Sequence, residues 1–193
     1  MAFLRSRFSP EPHPVLKNSR VLLRVPDMAD YAAWLDLRLA SRDFLTPWEP
    51  QWPANDLDRS AFRLRLKRYW RDIDEDQAFP FFIFSADGKT LLGAVTLSNV
   101  RRGVAQMASL GYWIGQPYAK RGYMTAAVRL VQEFGLGHMQ LHRIEAACLP
   151  HNAASIALLL RCGFMQEGVA RGYLKINGAW QDHALFACAT EQS

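Results

Sequence analysis

Cysteine is scarce in this chain, with three in 193 residues. Cys148, Cys162 and Cys188 lie too far apart for a zinc motif and are odd in number for a closed disulfide framework. They are expected to be reduced thiols of a cytoplasmic protein, and no metal is expected. Long apolar runs are also missing, and none approaches the roughly 20 residues of a membrane helix. The opening stretch MAFLRSRFSPEPHP has Arg and Pro where a secretory signal needs its apolar core, so no export signal is expected. Past the N-terminal arm there is no Gly/Ser-rich or Pro-rich linker, no internal repeat and no low-complexity tract. That argues for one domain over residues 1–193, with 1–17 as a Pro-rich arm without chemistry of its own.

Half the residues are hydrophobic and 12% are aromatic, enough for a sizeable core. Net charge is +5, which favours acidic ligands such as phosphates, a nucleic-acid surface or an RNA-containing particle.

The pattern along the chain reads as alternating strands and helices. RVLLRV (Arg20 to Val25) is a short strand, and Pro26-Asp27 opens a helix that ends near Ser41. FLTPWEPQWP (Phe44 to Pro53) is too rich in proline for regular helix and is expected to be a stiff loop. Its Trp48 and Glu49 either pack or wall a pocket. Asn55 or Asp56 caps a helix over 56–73 carrying Arg59, Arg63, Arg65, Lys67, Arg68 and Arg71, which is either a solvated face or a docking surface for phosphate-rich RNA or an acidic protein. Three antiparallel strands follow: Phe79 to Phe84, Leu91 to Ser98 after the Asp87-Gly88 turn, and Gln106 to Ile114. A helix follows Gly122, with Met124, Ala127, Val128, Val131 and Phe134 at helical spacing, and Gly135 and Gly137 are expected to end it. His142 to Leu149 is a strand. Asn152 caps a short helix stopped by Gly163. Two last strands join through Asn177-Gly178. The order implies an α/β fold: a mixed, mostly antiparallel, twisted sheet of about seven strands with helices on both faces.

Within that order, Leu110 to Ala127 runs from strand through a basic loop into helix. The N-terminus of a helix exposes amide donors and the positive end of its dipole, so Lys120, Arg121 and Gly122 make this junction a cradle for a diphosphate.

The loop Ala119-Lys120-Arg121-Gly122-Tyr123-Met124 and the segment Asn152-x-x-Ser155-x-x-x-Leu159-x-x-x-Gly163-Phe164-x-x-Glu167-Gly168 resemble the GNAT superfamily of N-acetyltransferases. The loop matches the family pattern at Gly122 and departs from it at Ala119 and at Met124, which is expected to crowd the first turn. The second segment fits throughout. More narrowly, Phe44-Leu45-x-Pro47-Trp48-Glu49-Pro50, Ser98-Asn99-Val100-x-Arg102-Gly103, Pro150-His151-Asn152 and Gly178-x-Trp180-x-Asp182-His183 are similar to the RimJ type, which acetylates the N-terminal alanine of a small-subunit ribosomal protein.

The resemblance implies acetyl-CoA as co-substrate. Its pyrophosphate would lie on the amides from Lys120 through Arg121, Gly122, Tyr123 and Met124 to Thr125. Its pantetheine arm and acetyl oxygen would pair with the backbone of Tyr112, Trp113 and Ile114, on a strand that splays from its neighbour, and with Asn152. Many relatives carry a Tyr where this chain has Leu159, so Ser155, one turn earlier, is the implied proton donor to the leaving thiolate. Glu49 and Glu145 are the candidates for general base. Glu49 is alternatively a seat for the arriving ammonium, and Glu145 a structural partner of Arg143. Asp182 and His183 are expected to be a hydrogen-bonded structural pair. Trp48 and Trp180 would wall the peptide slot. The implied activity is acetylation of a protein's N-terminal α-amine, most simply a ribosomal protein's, with ribosome docking through 56–73 and no membrane partner. A small-molecule amine acetyltransferase and a non-catalytic acyl-CoA-binding module stay open as alternatives.

Overall fold

The computed structural model describes residues 13–190. The first twelve residues of the Pro-rich arm lie outside the described residues. The last residues of that arm, Val15–Lys17, form strand β1, so the expected arm ends inside the sheet. The other strands are β2 (Val21–Arg24), β3 (Phe79–Ser85), β4 (Leu91–Arg101), β5 (Met107–Ile114), β6 (Arg143–Cys148), β7 (Met165–Ile176) and β8 (Ala179–Ala189). They form one eight-stranded sheet in the order β1-β2-β3-β4-β5-β6-β8-β7. All neighbours are antiparallel except β5 and β6, the pair joined by a helical crossover, as a parallel connection requires. The eighth strand is β1, a three-residue strand whose sequence has no alternation to announce it.

Among the described residues, five α-helices flank the sheet: α1 (Tyr31–Ala40), α2 (Arg42–Leu45), α3 (Arg59–Asp74), α4 (Tyr123–Gln132) and α5 (Ala153–Arg161). They divide the core by sheet face. One cluster packs α4 and α5 against Val21, Ile83, Val95, Leu97 and Ile144. The other packs α1 and α3 against Phe82, Phe84 and Leu91 through Trp34, Leu37, Phe62 and Leu66. Strand alternation assigns Tyr112 to the first face and Trp113 to the second. No described helix is long and apolar enough to cross a membrane.

Three further expectations change. The Trp-Pro segment is not all loop: α2 covers Arg42–Leu45, and a single 3₁₀ turn takes in Thr46–Trp48. Pro47 sits in the first turn of that 3₁₀ helix, where its missing N–H costs nothing. The basic helix begins at Arg59, after Asp58, and not at 56. Gly135 does not stop the helix that follows Gly122. A π-helical stretch, Glu133–His138, continues it, and the bare Cα of Gly135 lets that turn lie on Ile144 and Leu97, within 3.0 Å of where a Cβ would stand.

Candidate active site

The β5–β6 ladder stops early. Its last pair is Leu110 with Ala146, while β5 continues to Ile114, paired only with β4. On its β6 side, the backbone from Gly111 to Ile114 therefore has no strand partner. The expected splay is present, and it leaves a bare row of peptide groups beside a cleft. Gly93 on β4 keeps this region tight, because a Cβ there would stand 2.3 Å from the Trp113 carbonyl oxygen.

At the far end of β5 the chain turns through Gly115–Tyr118 into α4. Gln116 N–H donates to Ser41 Oγ at 2.9 Å, tying the turn to the end of α1. Gly122 is the N-cap of α4, with φ of 81°, a left-handed conformation that glycine adopts without a Cβ penalty. No side chain caps this helix. The amides of Tyr123, Met124 and Thr125 lack partners within the helix and present donors at the positive end of its dipole. Lys120, Arg121 and Gly122 are exposed there. The Met124 side chain is buried in the core and so turns away from these amides; the expected crowding of the first turn does not occur. A third cation was missed from sequence. Arg20, at the start of β2, donates from Nη2 to the Arg121 carbonyl at 2.8 Å and stacks over Tyr123. It lies a hundred residues away in the chain, and only the sheet brings it to the loop.

Across the splay stands α5. Asn152 caps it by accepting from Ser155 N–H at 3.1 Å, as the spacing predicts. Leu159 is fully buried, so no group on the side chain at that position reaches the cleft. The Ser155 hydroxyl meets the Tyr112 hydroxyl at 2.6 Å. Tyr112 was expected to contribute backbone; its side chain is also at the site. Burial pushes its phenol well above the ordinary value, against the opposing effect of the hydrogen bond it shares with Ser155. Burial also pushes the Cys148 thiol up, and Ser155 faces that thiol too. The group around Ser155 is thus neutral and proton-bearing.

The two carboxylates proposed as bases are both engaged. Glu49 accepts from Arg38 Nη1 at 2.8 Å and from Nη2 at 2.6 Å, and from Trp52 Nε1 at 2.8 Å. Arg38 is buried and its guanidinium lies between the Trp52 ring at 4.0 Å and the Trp113 ring at 4.8 Å. Glu145 accepts from Arg143 Nε at 3.0 Å on the sheet face opposite Ile144, Ala146 and Cys148, and Arg143 also binds Glu167. Glu49 is taken up by Arg38 and Trp52, and Glu145 lies on the sheet face opposite Cys148.

A cavity of about 280 Å³ lies beside β4 and β5 on the α1–α3 face. Trp34, Arg38, Glu49, Tyr69, Thr96 and Trp113 are among its walls. Trp48 does not line it. It packs on His151 at a ring distance of 5.6 Å, which brings the Trp-Pro loop to the start of α5. Trp180 is 68% exposed on the β7–β8 hairpin, away from these walls. Asp182 and His183 do not pair: Asp182 accepts from Gly172 N–H, while His183 bonds the Gln181 carbonyl. Adjacent strand residues point to opposite faces, and these two follow that rule.

A bare helix N-terminus with cations at one end, an unpaired strand edge in the middle and the Tyr112 and Ser155 hydroxyls at the other make up the site of a transferase. The chain belongs to the acetyltransferase (GNAT) family, whose model matches residues 20–165, and it is an N-acetyltransferase. It is 37% identical over 179 residues to the [Ribosomal protein uS5]-alanine N-acetyltransferase of Escherichia coli, covering 91% of this chain and 90% of that one. Among solved structures it is similar to Mycobacterium smegmatis RimJ in complex with CoA-disulfide, at 33% identity and TM-score 0.85, covering 93% of this chain and 88% of that one. The ribosomal-protein-S5-alanine acetyltransferase from Vibrio fischeri superposes with TM-score 0.84 at 28% identity, over 91% of this chain and 96% of that one.

Proposed function

We propose that this chain acetylates the N-terminal α-amine of a ribosomal protein, with acetyl-CoA as donor, and that residues 1–193 work as one acetyltransferase domain in the cytoplasm. The observation that carries the reading is the splay between β5 and β6, flanked by the cradle at Gly122 and by Ser155. The likeness to the E. coli enzyme, over nine-tenths of both chains, supports the acceptor class. The continuous sheet supports the domain reading, and the three free cysteines fit a reducing compartment.

In this reading the amides of Tyr123, Met124 and Thr125, with Arg20, Lys120 and Arg121, hold the pyrophosphate. The free edge from Tyr112 to Ile114 pairs with the pantetheine arm and polarises the acetyl carbonyl, and preorganised amides at the developing oxyanion are the largest electrostatic contribution. The acceptor enters from the cavity beside Trp113. An α-amine titrates near ~8, so a good fraction is neutral at assay pH and no strong base is needed. That removes the demand on Glu49 and Glu145, whose ion pairs give them structural work.

The cradle makes a quantitative expectation. Neutralising Lys120 and Arg20 together raises KM for acetyl-CoA by roughly tenfold, on about 0.2–1 kcal/mol per exposed cation–phosphate pair, with kcat little changed. Steady-state kinetics at two salt concentrations check it, since the penalty shrinks as salt rises.

Docking on the ribosome would use α3. Its exposed Arg59, Arg63, Lys67 and Arg71 follow one another every four residues, about 6 Å of rise per step, and no acidic residue interrupts Arg59 to Arg71. Arg65 is turned inward to Asp56 and Trp34 and takes no part. Mass spectrometry of ribosomal proteins from cells with and without this chain tests the proposal. Loss of an acetyl group from one N-terminus is expected, and an unchanged set of N-termini overturns the acceptor assignment.

A further inference from the structure

We propose that Tyr112 is a positioning residue for acetyl transfer: its hydroxyl donates to Ser155 Oγ and so leaves the Ser155 hydrogen free to meet the departing thiolate. The inference rests on the reading of Ser155 as the proton donor, and it explains why that serine works without the Tyr on α5 that many relatives use.

One shared hydrogen decides what Ser155 can do. At 2.6 Å either hydroxyl can donate to the other, and the two arrangements differ in what Ser155 has left. If Ser155 donates to Tyr112, its only proton is spent. If Tyr112 donates, the serine hydrogen is available in the cleft. Three observations select the second arrangement. Among the described residues the Tyr112 hydroxyl bonds only Ser155, and a buried O–H without an acceptor costs about 1–3 kcal/mol. Burial keeps the phenol protonated far above neutral pH, so the donor is permanently present. The Ser155 backbone is pinned by the Asn152 cap, which fixes the origin of the side chain, and the Tyr112 bond holds its oxygen in place.

Tyr112 is also placed to sense the reaction. It sits on β5 within the unpaired segment Gly111 to Ile114, so the strand whose amides face the acetyl group carries the side chain that aims the acid. In the step itself, the amine nitrogen bonds the acetyl carbon and the carbon–sulfur bond breaks with its electron pair passing to sulfur. Ser155 gives its Oγ proton to that sulfur. The amine loses one proton to water as it becomes an amide, and water returns one proton to Ser155. The Tyr112 hydrogen bond steadies the serine oxygen while its proton is away and re-aims the hydroxyl afterwards. Tyr112 never leaves its neutral form.

The test is a double-mutant cycle of Tyr112→Phe and Ser155→Ala. It is read with an alanine-starting peptide and, independently, as thiol release from acetyl-CoA with water as sole acceptor. Phenylalanine keeps the ring that packs in the core. Expected are a roughly tenfold fall in kcat for Tyr112→Phe, of the order of one hydrogen bond, with KM for acetyl-CoA within about twofold, and no further loss when Tyr112→Phe is added to Ser155→Ala. Wild-type turnover in Tyr112→Phe, or the same fractional loss in both backgrounds, overturns the inference. If Ser155→Ala alone runs at the wild-type rate, the reading of Ser155 fails; if only Ser155→Ala is slow, this inference alone fails.

Discussion

Replacing Ser155 with alanine is expected to slow acetyl transfer by about 10²–10³-fold, the usual weight of a positioned general acid, while acetyl-CoA binds almost as before. The asymmetry follows from geometry. In the proposed reading the donor is held by main-chain amides at the Gly122 turn and along the β5 edge, and Ser155 meets that edge only through the Tyr112 side-chain hydroxyl; its other partners are Asn152 and Cys148. Losing it removes the proton for the thiolate and leaves the cradle intact. Rapid-mixing kinetics with an independent measurement of CoA affinity separate the two. A variant that binds poorly but turns over normally at saturation would place Ser155 in binding and remove it from the chemistry.

The pH profile carries the same information. Burial holds both Tyr112 and Cys148 above their ordinary values, so they stay protonated as pH rises to the usual thiol range near ~8.5. The donor side of the site therefore does not titrate below that range. Activity should rise with pH as the acceptor amine loses its proton, and should show no falling limb until pH exceeds about 9.

The second large effect concerns stability. Arg38→Ala is expected to cost about 3–5 kcal/mol, which for a chain of this size lowers Tm by roughly 10 °C. Arg38 and Glu49 are the most enclosed ion pair described, with side-chain exposures of 8% and 18%. Removing the guanidinium strands the Glu49 carboxylate and empties the space between Trp52 and Trp113. A companion variant, Arg38→Met with Glu49→Gln, tests the cause. It keeps a flexible stem between the rings and an oxygen for Trp52 Nε1, and it deletes both charges, so it should recover most of the loss. Calorimetry of the three proteins decides. If the double variant melts as low as Arg38→Ala, packing and not the uncompensated charge sets the cost.

Much of this was legible in the sequence because its signals are local. The Asn152 cap, Gly122 as the turn into a helix, and the Asn177-Gly178 hairpin each depend on a few adjacent residues, and each is present. What escaped depends on pairs distant in the chain. Arg20 reaches the Gly122 loop from across the sheet. Tyr112 meets Ser155 over forty-three positions, and hydrophobic patterning assigns a strand tyrosine to the core whether or not its hydroxyl has work. Glu49 looked available for catalysis because a carboxylate among prolines shows nothing of the arginine that will bind it. The 56–73 helix misplaced its start because Asn55, Asp56 and Asp58 are all competent caps, and tertiary contacts choose among them. The boundary of the Trp-Pro loop shifted because proline is forbidden inside a helix but welcome in its first turn.

One contact gives the acceptor side of the enzyme a mechanical character. The Asn177 amide, at the tip of the β7–β8 hairpin, donates to the Glu49 carbonyl at 2.9 Å. The hairpin and the Trp-Pro loop are thereby latched into a closed ring of main chain. Swinging either one outward breaks a bond of about 0.5–1.5 kcal/mol, so at equilibrium the ring spends roughly a tenth to a third of its time unlatched if nothing else opposes opening. A single backbone proton thus reports the latch: the protection of the Asn177 amide against exchange with deuterium reads the fraction of time for which that side of the molecule stands open.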